Sequence, residues 1–327
     1  MKTLLITVFI SFQVRAMALI PKTQLGLIGN KLVAENFLNY QNEFSTKGCV
    51  AKGDGKRVIL TGFGLFSGVN YNISGAVTSS MASSHFFPAE IDLDNLSLSA
   101  IDEVEDGKLK SNPLGVNIFN RSLKLNGKNF EVCFITANVE WDFAAAVFIN
   151  EMGKFKPELI LMTGRGGANV SLEVGTLNNA MKASGYFANG ESESMNTPAI
   201  DGEELLTAYP KDRILKLNWL ADLANNSIKD MVANLGYQVE LQTTARSSNT
   251  YICNNVSFML AHASTNKSTS LAGGTLILPS PELKAIPKVG FFHFPGVDEN
   301  YPEIKNYSTQ VFSWGLVIAK TIYSQFY

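Results

Sequence analysis

The chain has 327 residues, which is enough for one large domain, or two smaller ones, with a sizeable hydrophobic core. Its composition is ordinary for a globular protein, with 46% hydrophobic and 17% charged residues, and its formal net charge is −2. Because there is neither a basic excess nor a local basic run, nucleic acid is not expected as a partner. The composition does not exclude small neutral or weakly charged ligands.

The first eighteen residues resemble a secretory signal peptide. Lys2 precedes a mostly apolar run from Leu4 to Phe12, and Ala16-Met17-Ala18 forms a small-x-small cleavage pattern. The run is too short to span a bilayer, and a first β-strand or a short buried helix is the alternative. We therefore expect residues 1–18 to be removed, and the protein to be periplasmic or secreted with no membrane attachment after cleavage.

The chain contains three cysteines, and an odd count is informative in an exported protein because its surroundings are oxidising. Cys49 and Cys133 can pair as a disulfide, which leaves Cys253 as a free thiol. The pairing depends on whether the two Cβ atoms approach within the few ångströms that a disulfide demands.

An N-terminal extension, residues 19–56, precedes the main domain and carries no chemistry that we can assign. Beyond it, apolar strand patterns alternate with helical ones. Strands are predicted from residue 57 and at 130–135, 159–162 and 237–243, and helices at 143–152, 215–235, from 256 onward and at 311–322. The strand, helix and strand between 130 and 162 are typical of a βαβ crossover in a parallel sheet. Residues 87–129, 184–213 and 264–270 are interpreted as surface insertions.

The first predicted strand ends in a glycine-containing loop with two phenylalanines, Phe63 and Phe66. Gly62-x-Gly64 is only a near-match to a dinucleotide-binding fingerprint, because Ser67 stands where the third glycine is required. No cofactor is therefore expected. Ligand crevices of open α/β sheets form at the ends of such strands, although from spacing alone the two rings are more simply explained as core.

A short polar run delivers Cys253 to the start of a helical pattern. Apolar residues follow with helical spacing at positions 256, 259, 260 and 263. At a helix N-terminus, unpaired N–H groups and the macrodipole favour the reactive thiolate. A buried cysteine acting as a small apolar residue is the alternative.

Only three histidines can serve as a base for such a nucleophile. His85 lies in a Ser-rich segment, and His262 follows Cys253 by nine residues on the same helix, which is about 13 Å at 1.5 Å per residue. His293, at the end of a short apolar strand, remains. With Glu173 as the enclosed carboxylate, Cys253 and His293 have the residue types of a nucleophile, base and orienting acid. No histidine pair has metal-ligand spacing, so no metal site is expected.

Four stretches resemble the type I pyroglutamyl peptidases, also called pyrrolidone carboxyl peptidases. They occur in the family's order, and they are Val58 to Phe66, the Gly-rich loop ending in Glu173, Thr250-Tyr251-Ile252-Cys253-Asn254 and Gly290 to Pro295. The resemblance spans most of residues 57–327, patchily.

The resemblance implies a single α/β domain built as a three-layer α/β/α sandwich with a mostly parallel sheet. It implies a cysteine peptidase, often a homotetramer, that removes an N-terminal pyroglutamyl residue from peptides. It also implies Glu173, Cys253 and His293 as the catalytic triad. Phe63 and Phe66 would then flank the lactam ring, which stacks well on aromatic side chains.

The chain departs from the family pattern at several positions. Gly64-Leu65 replaces the usual Glu-Pro between the two phenylalanines, Asn249 replaces a glycine before the cysteine motif, and Gly167 replaces an arginine, with Arg165 displaced. Two alternatives therefore stay open. One is an amidase for another cyclic or blocked N-terminus, and the other is a binding protein of the same fold that has lost activity.

Overall fold

The computed structural model describes residues 31–64, 72–94, 115–180, 204–242, 251–271, 276–280, 282–296 and 304–327. The predicted signal peptide (residues 1–18), Phe66 and Asn249 lie outside these ranges. The helices are α1 (Lys31–Phe44), α2 (Ile73–Ala82), α3 (Phe143–Phe155), α4 (Ala221–Asn234), α5 (Ile252–Ala263) and α6 (Ile304–Ser324). The strands are β1 (Lys56–Phe63), β2 (Glu90–Ile91), β3 (Asn117–Leu125), β4 (Lys128–Ala137), β5 (Leu159–Arg165), β6 (Val170–Glu173), β7 (Gly175–Leu177), β8 (Ile214–Lys216), β9 (Val239–Gln242), β10 (Ser268–Leu271), β11 (Leu276–Pro279) and β12 (Lys288–Phe294).

Within the described ranges, eight strands form one mixed sheet in the order β2-β3-β4-β1-β5-β12-β6-β9. The central strands β4, β1, β5 and β12 are parallel, whereas β3 and β6 run antiparallel to their neighbours β4 and β12. The helix α3 links β4 to β5 across β1, which is the predicted βαβ crossover. The carboxyl ends of β1, β4, β5 and β12 therefore meet at one edge of the sheet, where open α/β sheets form ligand crevices.

Helices cover both faces of the sheet. A methyl group added at Gly62 would lie against the backbone of Ser74 in α2, whereas the next ring along β1, that of Phe63, packs on Phe148 of α3. Since successive strand residues point to opposite faces, α2 and α3 are on opposite sides. With α2, α4 and α6 packed together and α3 packed on α5, the domain is an α/β/α sandwich with a mostly parallel sheet.

Three segments differ from the sequence prediction. Residues 117–125, which the sequence assigns to an insertion, form the nine-residue strand β3, in which only Leu123 and Leu125 are buried. The helix predicted over 215–235 begins only at Ala221, because Ile214–Lys216 pairs with β7 as a short strand. The predicted insertion at 264–270 includes β10, which forms a hairpin with β11.

The described part of the N-terminal extension packs on α3. The ring of Phe37 meets that of Phe143 edge-on, with 5.0 Å between centroids. Cys49 and Cys133 form a disulfide that ties the extension to β4. The extension is thus held to the sandwich covalently as well as by packing. In the part of the chain that the structure describes, no helix is long and apolar enough to cross a membrane.

Candidate active site

Cys253 is the second residue of α5 and its side chain points back toward the sheet. A methyl group added at Gly164, on β5, would lie 2.8 Å from Sγ of Cys253 and 3.1 Å from Cδ2 of His293. The thiol and the imidazole therefore both lie beside Gly164, where any side chain would crowd them. Both are largely buried, with 9% of Cys253 and 7% of His293 exposed.

His293 and Glu173 come together across the antiparallel pair β12 and β6. His293 lies opposite Ser171, and Glu173 lies opposite Phe291, so all four residues share one face of the sheet. The Nδ1 atom of His293 is 3.3 Å from Oε1 of Glu173. Cδ2, which is bonded to Nε2, is the His293 atom nearest to the Gly164 position beside Cys253, while Nδ1 faces the carboxylate. Nε2 has no hydrogen-bond partner among the described residues.

Two residues to which the sequence assigned no role, Trp219 and Asn254, hold Glu173 and α5 in register. Trp219 donates a hydrogen bond from Nε1 to the backbone oxygen of Glu173 at 2.6 Å, and its ring covers Gly290, where an added methyl group would clash. Asn254, next to the cysteine, accepts from the Leu177 backbone N–H at 2.7 Å and donates to its carbonyl oxygen at 2.8 Å. Since Leu177 follows Glu173 by four residues, Asn254 links the acid and the nucleophile.

Burial decides the charge state of the resting site. It raises the pKa of the Cys253 thiol far above its ordinary value, and the negative charge of Glu173 raises it further. Burial also lowers the pKa of His293 to about 4. The expectation of a thiolate favoured by the helix N-terminus is therefore wrong for the resting protein. At neutral pH the site holds a thiol beside a neutral imidazole, which is able to accept a proton.

The other two histidines lie away from this site. His85 is exposed. The ring of His262 is buried, with Nδ1 3.0 Å from the Tyr209 hydroxyl and Nε2 2.9 Å from the backbone oxygen of Ser268. Since a carbonyl can only accept, Nε2 donates to it and Nδ1 accepts from Tyr209. Both ring nitrogens are thus engaged in structural hydrogen bonds.

Phe63 ends β1 at the same sheet edge but is only 1% exposed, packed on Phe148 with 6.2 Å between ring centroids. In this structure its ring is part of the core, which is the simpler of the two interpretations of the sequence. Around the site, and throughout the ranges that the structure describes, no group of three His, Cys, Asp or Glu side chains is placed to hold a metal ion.

No protein-family model matches the chain, and a comparison with curated proteins finds no match. Among solved structures, it is similar to pyroglutamyl peptidase I of Bacillus amyloliquefaciens, with 15% identity, a TM-score of 0.48 and coverage of 81% of this chain and 97% of the other. It is also similar to the pyrrolidone carboxyl peptidases of Thermococcus litoralis (16% identity, TM-score 0.46, coverage 82% and 93%) and Pyrococcus furiosus (14%, 0.46, 82% and 98%). Such values describe a similarity of architecture, so function has to be judged from the chain's own residues.

Proposed function

We propose that the chain is a cysteine peptidase that hydrolyses the amide bond after an N-terminal pyroglutamyl residue. Cys253 is the nucleophile, His293 the general base and Glu173 the acid that orients the base. The observation that carries the proposal is the convergence of the three side chains from α5, β12 and β6 on one face of the sheet, with Gly164 between thiol and imidazole. The substrate class is inferred from the sequence stretches around these residues, which resemble those of the pyroglutamyl peptidases.

The reaction begins from the neutral pair. As Sγ of Cys253 attacks the amide carbon, its proton passes to Nε2 of His293, and the Glu173 carboxylate stabilises the imidazolium through Nδ1. First-turn N–H groups of α5 have no intrahelical acceptor and receive the oxyanion. His293 then protonates the leaving amine as the carbon–nitrogen bond breaks. Water, deprotonated by His293, hydrolyses the thioester, which releases the pyroglutamyl acid and restores the thiol.

The direct test is turnover of a pyroglutamyl-linked chromogenic amide by the purified protein and by Cys253→Ala. We expect the wild type to release the dye and the variant to lose at least about a thousandfold in kcat/KM, because no other group can form the thioester. Circular dichroism should show that the variant is folded. Equal dye release by both proteins would mean that Cys253 is not the nucleophile.

An amidase for another cyclic or blocked N-terminus is the second candidate, and the burial of Phe63 favours it. A lactam ring cannot stack on an aromatic side chain that is 1% exposed and already packed on Phe148 unless that side chain moves. The same assay separates the candidates when acetyl, formyl and free prolyl amides accompany the pyroglutamyl amide. Faster turnover of one of these, lost in Cys253→Ala, would favour the second candidate.

We also propose that the protein is exported, which the Cys49–Cys133 disulfide supports because such bonds persist in oxidising compartments. Protein isolated from its native source should begin after residue 18 by N-terminal sequencing. Thiol titration of the denatured protein should find one free cysteine, Cys253. A retained Met1, or three free thiols, would contradict export.

A further inference from the structure

The loop between β4 and α3, residues 138–142, lies against the start of the nucleophile helix α5. The ring of Trp141 meets that of Tyr251 edge-on, with 5.7 Å between centroids. Asn255 donates from Nδ2 to Oδ1 of Asp142 at 3.2 Å, and the Asp142 backbone N–H donates to Oδ1 of Asn255 at 3.4 Å. Asn255 is fully buried, so water cannot replace these bonds. The loop and the first turn of α5 are therefore coupled.

The loop has a backbone conformation that needs external support. Asp142 has φ of +62°, in the left-handed region that residues other than glycine seldom adopt. Such a residue persists only where its surroundings fix it, and these positions are concentrated at functional sites. The next residue, Phe143, begins α3. Contacts from neighbouring segments must therefore stabilise the junction between Asp142 and Phe143.

Helix α1 of the N-terminal extension packs on this junction between the loop 138–142 and α3. The side-chain amide of Asn36 donates to Oε1 of Glu140 at 2.7 Å, and that of Asn138 donates to the same oxygen at 2.7 Å. Glu140 is 2% exposed, so the carboxylate that accepts both bonds is shielded from solvent, while the two donor side chains are half-buried. The ring of Phe37, next to Asn36, packs on Phe143 at the other side of the junction. One turn of α1 thus contacts the loop's side chains and the helix that follows it.

We propose that α1 belongs to the catalytic apparatus, with Asn36 as a positioning residue. Through Glu140 it holds the loop 138–142 against Tyr251 and Asn255, and so fixes the helix start that presents Cys253. The kinetic part of this inference rests on the proposed peptidase function. The geometric part concerns the surroundings of the thiol and does not require turnover.

The kinetic test compares Asn36→Ala with Asn39→Ala, the same change one turn later at an exposed position of α1. Alanine has the higher helix propensity, so neither change weakens the helix itself. We expect Asn36→Ala to lower kcat by about 10- to 100-fold on the blocked amide that the wild type cleaves, with KM within about twofold. Asn39→Ala should match the wild type. Asn36→Asp, which sets a second carboxylate against Glu140, should lower kcat further.

The second measurement is the rate of alkylation of Cys253, the free cysteine, by iodoacetamide at a fixed pH of about 8. Burial keeps the pKa of this thiol high in the wild type, with Glu173 and His293 present in every variant. A displaced loop admits water and lowers this pKa, so the alkylation rate of Asn36→Ala should rise by about tenfold or more, and that of Asn36→Asp at least as much.

Variants of Asn36 that match Asn39→Ala in both kcat and alkylation rate would overturn the inference. If the wild type turns over no blocked amide, the proposed function fails, and the alkylation rate alone decides the positioning role. Faster alkylation of the Asn36 variants would then still support it, whereas an unchanged rate would refute it.

Discussion

Replacing His293 by alanine should reduce kcat by about 10³-fold or more, whereas replacing His262 should leave kcat within a few-fold of the wild type. Nε2 of His293 has no hydrogen-bond partner among the described residues and is bonded to Cδ2, which lies next to the Gly164 position beside Cys253. Nδ1 is 3.3 Å from Oε1 of Glu173. Its pKa of about 4 keeps it neutral, and able to accept the thiol proton, over most of the accessible pH range. Steady-state kinetics on the blocked amide are the measurement.

The effect of His262→Ala should appear in the free energy of unfolding rather than in kcat. Removing this ring leaves the Ser268 carbonyl and the Tyr209 hydroxyl without their partner and costs about 2 to 4 kcal/mol of the free energy of unfolding. Urea unfolding of both variants measures this difference. An inactive His262→Ala that is fully folded, beside an active His293→Ala, would reverse the choice of base.

The three proposed catalytic residues could be selected from the sequence because their residue types are rare and their local patterns are strong. Cys253 begins an apolar helical pattern, and His293 ends an apolar strand. The structure places both where these patterns predict them, at the start of α5 and near the end of β12. The local pattern around Glu173 does not suffice to select it, because a glutamate among apolar residues is equally consistent with a solvated face. Its place beside His293 depends on the antiparallel pairing of β6 with β12.

The features that could not be predicted from the sequence depend on contacts between segments that are far apart in the chain. The hydrogen bond from Trp219 to Glu173 joins residues 46 positions apart, and no periodicity marks it. The helix N-terminus favours the thiolate of Cys253, but burial by the surrounding sheet and helices raises the thiol pKa and outweighs it in the resting protein. The sequence does not mark β3 as a strand because only two of its nine residues, Leu123 and Leu125, are buried, so neither an apolar run nor a clear alternation results.

Gly164 illustrates the same limit and gives the sharpest test of the site geometry. The sequence predicts a strand only over 159–162 and assigns Gly164 to the loop that follows, whereas β5 continues through Gly164 and its parallel pairing with β12 sets Gly164 opposite His293. A methyl group there would lie 2.8 Å from Sγ of Cys253, 3.0 Å from Cζ of Phe291 and 3.1 Å from Cδ2 of His293. Gly164→Ala should therefore push the thiol and imidazole apart. We expect kcat to fall by about 100-fold, because a displacement of 1 Å has an effect of that size.

Gly167→Ala is the matched control, since an added methyl group at that position meets nothing within 4 Å among the described residues. It should keep wild-type kcat and stability. Gly164→Ala should lose only about 1 to 3 kcal/mol of unfolding free energy, because the atoms that it crowds belong to side chains. Wild-type kcat in a folded Gly164→Ala would show that catalysis does not require the thiol and the imidazole to meet over this glycine. An equal loss in both variants would place the defect in the glycine loop rather than between the two reacting groups.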